Sequence, residues 1–327
     1  MSRFPLAVRP EAQVLVTGSL AFDQIMVFSG NFQDHILPDK MHVINISFLV
    51  SELRKQRGGC AGNIAYTLAL LGQRPRIIAA AGYDFGAYRS FLEGHAVDVS
   101  AIEILEDVAT ASCHITTDQN DNQITGFFVG AMAHAGELSL RARAGTHAAL
   151  AVIAPDDPQA MMRHSREARA EDLPFLFDPS FQVTAMDGAH LRAAAEGAAF
   201  LMVNDYELAV FQKKTETDET SIFDLVERVV VTLGSEGSRI LTPGAPPIEV
   251  PPAPIAGMVD PTGAGDAYRS GFVTGLMRAQ PLAVCGRLGS VAAAFAVEQH
   301  GTQNHHFTRA AFSERYAQCF GEIPDLG

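Results

Sequence analysis

The run Asp260-Pro261-Thr262-Gly263-Ala264-Gly265-Asp266 places carboxylates on either side of a glycine-rich backbone. Downstream, Phe272, Leu276 and Ala279 recur at helical spacing, so the glycines are expected to open a helix. Backbone N–H groups at a helix start, reinforced by the positive end of its dipole, form an anion site. Negative charge developing on a transferred phosphoryl group could be held there by Gly263, Ala264 and Gly265. Asp266 falls in the first turn, where a carboxylate can take a proton from an attacking hydroxyl. An Asp that only caps its helix is the competing role, made less attractive by the flanking Asp260 and Thr262.

Four other runs carry candidate chemistry. Gly58-Gly59-Cys60-Ala61-Gly62-Asn63 precedes a helix expected over Asn63–Leu71; its glycines admit close approach of a ligand, and Asn63 offers the donor and acceptor that vicinal sugar hydroxyls require. A glycine turn with an Asn cap would look the same. Gly18-Ser19-Leu20-Ala21-Phe22-Asp23 follows the first strand, where α/β sheets bind ligands, and Asp23 could accept hydrogen bonds from substrate hydroxyls or be a surface carboxylate. Asn204 and Glu207, three apart at a strand-to-helix junction, can hold a hydrated Mg²⁺ beside phosphates or form a capping box. Thr232-Leu233-Gly234-Ser235-Glu236-Gly237 suits a nucleotide-contacting turn or a plain one. No G-x-x-x-x-G-K-[ST] occurs, and no G-x-G-x-x-G joins a strand to a helix, so P-loop and Rossmann sites lose ground. His300, His305 and His306 lack a second ligand set with zinc spacing.

The elements that must position these groups alternate. Apolar runs at Val14–Val16, Ile77–Ala80, Ala151–Ile153, Phe175–Phe177, Phe200–Val203 and Val229–Val231 read as strands buried on both faces, with helical stretches between them. That predicts a doubly wound, mostly parallel central sheet flanked by helices. His42–Ser47 and Ser112–Val129 instead alternate, the latter around Gln119–Asn122, and read as half-exposed antiparallel strands of a small lid or as ordinary surface hairpins. Pro243–Pro254 reads as a Pro-rich connection.

The 327 residues carry 24 Lys and Arg against 37 Asp and Glu, and the resulting −13 argues against a nucleic-acid partner, which needs a basic surface. Cys60, Cys113, Cys285 and Cys319 form no C-x-x-C pair, and the first residues lack the apolar core of a signal peptide. A soluble cytoplasmic protein with no membrane partner is expected.

The motifs together resemble the ribokinase-like (PfkB) family of sugar and nucleoside kinases. Gly58 through Asn63 with Gly72 and Gly82, then Asp260 through Phe272, match its two signatures in order. Asn204 and Glu207 match its N-x-x-E motif, and Thr232 with Gly234 its nucleotide-side turn. The likeness runs to about Phe307. It implies a single α/β domain over 1–327 with a β lid from about 24–57 and 111–131, ATP as donor and Mg²⁺, and it allows a monovalent cation such as K⁺. By resemblance Asp266 is the catalytic base, with Gly263, Ala264 and Gly265 the anion hole. Asp23, Gly58, Gly59 and Asn63 bind substrate hydroxyls. Nucleotide contacts go to Asn204, Thr232, Gly234, Gly237, Thr262, Gly263 and Gly265, and Mg²⁺ to Asn204 and Glu207. Asp34-His35-Ile36-Leu37-Pro38, Gly-Gly-Cys-Ala-Gly-Asn and Gly301-Thr302-Gln303-Asn304-His305 look most like bacterial adenosine and nucleoside kinases. Phe127 and Phe128 could stack a purine or pack the lid onto the core. The expected activity is γ-phosphoryl transfer from ATP to a ribonucleoside 5′-hydroxyl, with a ribose- or fructose-directed kinase or a non-catalytic sensor as alternatives. A homodimer is compatible with the sequence.

Overall fold

Strands that are apolar at every residue need cover on both faces, and β1 (Gln13–Thr17) shows how the chain supplies it. Val14 and Val16 enter one buried layer, with Ile64, Leu68, Phe272 and Leu276; Leu15 points into another, with Met161, Ala168 and Phe211. The computed structural model describes residues 12–35, 46–120 and 122–321. Most of the strand expected over 42–47 therefore lies outside the described residues, as do Ile36, Leu37 and Pro38.

After β1 come β2 (Ala21–Phe28), β3 (Val50–Gly58), α1 (Cys60–Leu70), β4 (Pro75–Ile78), β5 (Ala80–Gly82), α2 (Gly86–Gly94) and β6 (Glu103–Leu105). Then follow β7 (Ala111–Thr117), β8 (Gln123–Phe128), α3 (Leu140–Arg143), β9 (Ala148–Ile153), α4 (Pro158–Ala170), β10 (Phe175–Phe177), α5 (Gln182–Ala185) and α6 (Gly188–Ala195). The last third runs β11 (Phe200–Asn204), α7 (Asp205–Thr215), β12 (Val229–Thr232), β13 (Ser238–Leu241), β14 (Ile248–Val250), α8 (Ala264–Met277), α9 (Leu282–Val297) and α10 (Arg309–Phe320). An eight-stranded sheet has the order β14-β13-β12-β11-β10-β9-β1-β4, parallel from β12 to β4 and antiparallel at β13 and β14. A second sheet has the order β3-β2-β7-β8, in which β2 and β7 are parallel and the outer pairs antiparallel.

Several expected boundaries move for local reasons. The first helix begins at Cys60 rather than Asn63, because Ser19 caps it from another segment: its Oγ accepts from Cys60 N at 3.1 Å and its carbonyl from Ala61 N at 3.0 Å. It ends as the sequence predicts, with Gly72 at φ +77° past the last turn. The run Ile77–Ala80 splits: β4 stays in the main sheet, while β5 leaves it to pair with β6. Ala279 falls beyond α8, in a turn at φ +51° where Gln280 N bonds to the Gly275 carbonyl, so it is not on the helix face with Phe272 and Leu276. Within the Pro-rich connection, Ile248–Val250 forms β14 on the edge of the sheet. The hairpin around Gln119–Asn122 forms as expected, as β7 and β8. Ala21–Phe28 and Val50–Gly58, whose alternation is weak, complete the second sheet.

Among the described residues no helix is long and apolar enough to cross a membrane.

Candidate active site

The main sheet reverses its winding direction at β1: the chain passes from β1 to β4 on one side, and β9 lies on the other. Open α/β sheets leave a crevice at the carboxyl ends of the strands at such a point. Gly18 occupies it, at φ +148°, and a Cβ there would sit 3.1 Å from Ala154 Cβ and 3.3 Å from Ala61 N. Ser19 N donates to the Pro155 carbonyl at 2.9 Å, tying the ends of β1 and β9 together.

The second sheet is rooted at this crevice. Gly59, at φ +87°, brings its Cα so near the Ser19 carbonyl that a Cβ would lie 2.5 Å from the oxygen, and a Cβ on Gly58 would lie 2.5 Å from Asp23 Oδ2. The two glycines thus let the Asp23 carboxyl rest against the base of β3. Burial, followed by the charge of Asp260, raises the Asp23 pKa. Asp260 itself goes the other way: burial opposes its ionisation, but N–H groups of Gly301 and Thr262, both at 2.9 Å, outweigh it.

Asp266 sits in the first turn of α8 as the sequence predicts. Gly263 precedes the helix at φ +80°, and no side chain caps it. Ala264 N reaches the Pro261 carbonyl at 3.2 Å and Ala267 N the Gly263 carbonyl at 2.9 Å, while Gly265 N and Asp266 N have no acceptor among the described residues. Gly263 N likewise has no acceptor among the described residues, so three N–H groups are left for an anion, Gly263 and Gly265 as the sequence suggests and Asp266 in place of Ala264, whose N–H is taken by the Pro261 carbonyl. Asn63, 4% exposed, donates from Nδ2 to Asp266 Oδ2 at 2.8 Å and accepts at Oδ1 from Gln303 Nε2 at 2.9 Å. Gln303 Nε2 also meets the Tyr88 hydroxyl, which donates to the Gly58 carbonyl at 2.9 Å. Burial raises the pKa of Asp266, with Arg269 and the Asn63 amide opposing it.

The nucleotide-side candidates lie at the same edge of the sheet. Asn204 and Thr232 are register partners at the ends of β11 and β12, and the turn from Leu233 to Gly237 closes with Leu233 N bonded to the Gly237 carbonyl at 2.8 Å. A Cβ on Gly234 would meet nothing within 4 Å, whereas one on Gly237 would strike the Val250 carbonyl at 2.1 Å. Gly234 thus presents open backbone; Gly237 is needed for packing. Asn204 and Glu207 form a full capping box: Asn204 Oδ1 accepts from Glu207 N at 2.7 Å and Glu207 Oε2 from Asn204 N at 2.8 Å. The carboxylate of Glu207 also acts electrostatically on Asp178 and Arg269. Among the described residues no group of three His, Cys, Asp or Glu could by itself hold a metal ion.

Phe127 and Phe128 are both about half exposed and lie on opposite faces of β8. Asp23, Cys113 and Phe127 form one register row across β2, β7 and β8, so Phe127 shares a face with Asp23. Phe128 shares the other with Phe22 and Ser112, and its ring packs beside Gly130.

Residues that the sequence does not single out complete the arrangement. Asp156 and Asp178 are both 1% exposed, just past β9 and β10, and Arg269 forms a buried ion pair with Asp178. Their signal is faint but present: a carboxylate that directly follows a wholly apolar strand lies at the ligand-binding edge of a parallel sheet. Tyr88 carries no such signal. Of two cavities, of about 570 and 600 Å³, neither is lined by Asp23, Asn63 or Asp266; the larger runs beside the nucleotide-side turn, at Asp205 and Leu233.

A model of the pfkB family of carbohydrate kinases matches residues 23–308. The nucleoside kinase of Methanothermobacter thermautotrophicus is 30% identical over 319 residues, 97% of this chain and 99% of that protein. Burkholderia thailandensis nucleoside kinase, solved in complex with inosine, superposes with a TM-score of 0.82 at 36% identity, over 95% of this chain and 99% of that one. The Methanocaldococcus jannaschii nucleoside kinase gives 0.84 at 28% identity, over 94% and 98%. With a match that takes in Asp23, the glycine run before α1 and the whole turn ahead of α8, the chain belongs to the pfkB family of carbohydrate kinases, phosphotransferases that act on a hydroxyl group.

Proposed function

We propose that this enzyme is an ATP-dependent nucleoside kinase that transfers the γ-phosphoryl group to the 5′-hydroxyl of a purine ribonucleoside. The observation that carries the reading is the buried Asp266 carboxyl beside three unpaired N–H groups at the start of α8. A base poised there takes the proton of the acceptor hydroxyl as its oxygen attacks, while Gly263, Gly265 and Asp266 N–H bind the phosphoryl oxygens. Rate then comes from position and electrostatics. Asn63 orients the Asp266 carboxyl; its amide is held by Asp266 and Gln303, so any contact to a substrate hydroxyl adds to those bonds.

Asp23 is placed to accept from ribose hydroxyls, and Phe127, on the same face two strands away, to stack the base. In this reading the sheet β3-β2-β7-β8 serves as a lid; it overlaps the expected 24–57 and 111–131 but begins earlier, at Ala21, and ends its first part at Gly58. The similarity to an enzyme solved with inosine supports a purine nucleoside, and a structure of that enzyme with ADP-inosine supports ATP as donor.

The donor set suits Mg²⁺ held through water: Glu207 Oε1 remains after the capping box is formed, and hard oxygen ligands match a cation that keeps most of its hydration. Mg²⁺ would neutralise charge on the phosphates there. In this reading Thr232, Gly234 and Thr262 contact the nucleotide, which the register pairing of Asn204 with Thr232 and the open backbone at Gly234 support.

Steady-state kinetics on adenosine, inosine, guanosine, ribose, fructose and fructose phosphates test the reading. A purine nucleoside is expected to give the highest kcat/KM, and 2′- and 3′-deoxy analogues to bind worse by about 1–3 kcal/mol per lost hydrogen bond. A free sugar outperforming every nucleoside would overturn the choice of acceptor and leave the phosphotransfer chemistry standing.

A further inference from the structure

We propose that Arg269 is a positioning residue for phosphoryl transfer, a fixed positive charge that Asp178 clamps against Gly265 and beside the Asp266 carboxyl. The inference rests on Asp266 being the base.

Arg269 lies three residues beyond Asp266 on α8, so the two side chains share a helix face. It is 6% exposed, an unusual place for a guanidinium. One edge of it is used up: Nη2 donates to Asp178 Oδ1 at 2.6 Å and Nε pairs with Oδ2. Asp178 thus meets the guanidinium through a hydrogen bond at Oδ1 and an ion contact at Oδ2, and although burial raises its pKa, the Arg269 charge opposes that shift and favours the carboxylate. The other edge ends in Nη1, which has no hydrogen-bond partner among the described residues. It lies against the glycine turn: a Cβ on Gly265 would be 2.5 Å from it. The absence of a side chain at position 265 therefore serves the guanidinium as well as a ligand.

The groups that act on Asp266 come from every side. Cys60 and Asn63 face it from α1, Tyr88 interacts from α2, and Arg269 lies on its own helix. Asp178, past β10, interacts with it, and Glu207 on α7 acts on Asp178 and Arg269. Arg269 is the one cation among these groups. Burial alone would favour the protonated acid, which cannot accept a proton; the neighbouring guanidinium favours the carboxylate. During transfer the acceptor hydroxyl gives its proton to Asp266, its oxygen bonds to phosphorus, and the bond to the departing ADP oxygen breaks. Neutralising Asp266 leaves the Arg269 charge facing the turn that holds the phosphoryl oxygens.

Asp178 and Arg269 have opposite charges, which gives the test a sign. In Arg269→Gln the acid limb of the kcat profile should move up by about 1 pH unit or more, and in Asp178→Asn it should move down, with the nucleoside KM nearly unchanged in both. A carboxyl ¹³C titration of Asp266, assigned by its loss in Asp266→Asn, should show the same opposed shifts in the resting enzyme. That measurement requires no turnover, so a wrong acceptor or a wrong base would show in the kinetics while the titration still reports on Arg269. Shifts in the same direction, no shift in either variant, or loss of cooperative thermal unfolding in both would overturn the proposal, the last by assigning the pair to the fold.

Discussion

Asn63 Nδ2 and Asp266 Oδ2 are 2.8 Å apart, although the two residues are separated by 203 positions in the chain. Through this contact the start of α1, reached from the second sheet, is joined to the start of α8. Gln303 extends the link to Tyr88 and to the carbonyl of Gly58 at the end of β3. The carboxyl is therefore held by groups on both sides of the site.

Asp266→Asn keeps the shape of the side chain and can retain a bond to Asn63 after an amide rotation, but it cannot take a proton. The kcat is expected to fall by about 10²-fold or more, with nucleoside affinity largely kept. Single-turnover kinetics together with calorimetric titration of the nucleoside would separate the two effects. A folded Asp266→Asn enzyme with near-normal turnover would remove Asp266 from the base role.

At Asn204 and Glu207 one geometry accommodates two functions. The capping box stabilises α7 and engages one oxygen of each side chain. Glutamine at the third helical position also completes a capping box. Glu207→Gln should therefore leave the melting temperature nearly unchanged while raising the Mg²⁺ concentration needed for half-maximal rate. Asn204→Ala, by contrast, should cost about 1 kcal/mol of stability through the lost cap. An unaltered Mg²⁺ titration in Glu207→Gln would leave the pair as a cap alone.

The central sheet was legible because strands covered on both faces leave uninterrupted apolar runs, such as Val229–Val231. The glycine turns were legible for a related reason: Gly59 and Gly263 adopt backbone angles that other residues rarely take, so their spacing survives in the sequence. The second sheet was harder to see. Its β7–β8 hairpin alternates and could be read, but in β3 most side chains are exposed, which erases the alternation that marks a strand. That Arg269 meets Asp178 and Gln303 meets Asn63 was not legible, because these side chains come together only when the fold does. Pairings across 91 and 240 residues leave no local pattern.

The register row Asp23, Cys113, Phe127 distinguishes the two phenylalanines of β8. Base–aromatic stacking is worth about 1–3 kcal/mol. Phe127→Ala should raise the KM for purine nucleosides roughly 5- to 150-fold, the range that energy implies, and leave any residual free-sugar activity unchanged. Phe128→Ala, on the other face, should have little effect on KM. Equal losses from the two variants would show that the ring surface packs the lid rather than the base.

Two buried histidines make the fold sensitive to acid. His164 is fully buried, its Nε2 meeting the Leu138 carbonyl at 3.1 Å; His305 is 1% exposed, with Nε2 3.0 Å from Thr67 Oγ1. Burial lowers both pKa values to about 4, and His306 adds to the effect at His305. In the unfolded chain each titrates near 6.5. Between about pH 6.5 and 4 the unfolded state therefore binds more protons at these positions, and their contribution to stability falls as pH falls. At pH 5 the loss is about 2 kcal/mol per histidine. Asp156, lifted by burial to about 8, works in the opposite direction over the same interval, so the informative comparison is between variants and wild type. Urea unfolding at pH 7 and pH 5 should show a smaller acid-induced loss in the His164→Gln/His305→Gln double variant than in wild type. For His305 the consequence is local as well. Its carbonyl accepts from the Tyr66 hydroxyl at 2.7 Å, so protonation would loosen the segment that carries Gln303 to Asn63. Activity should then decline on acidification in parallel with hydrogen exchange in residues 301–307; exchange there that stays constant from pH 7 to pH 5 would dissociate His305 from the site.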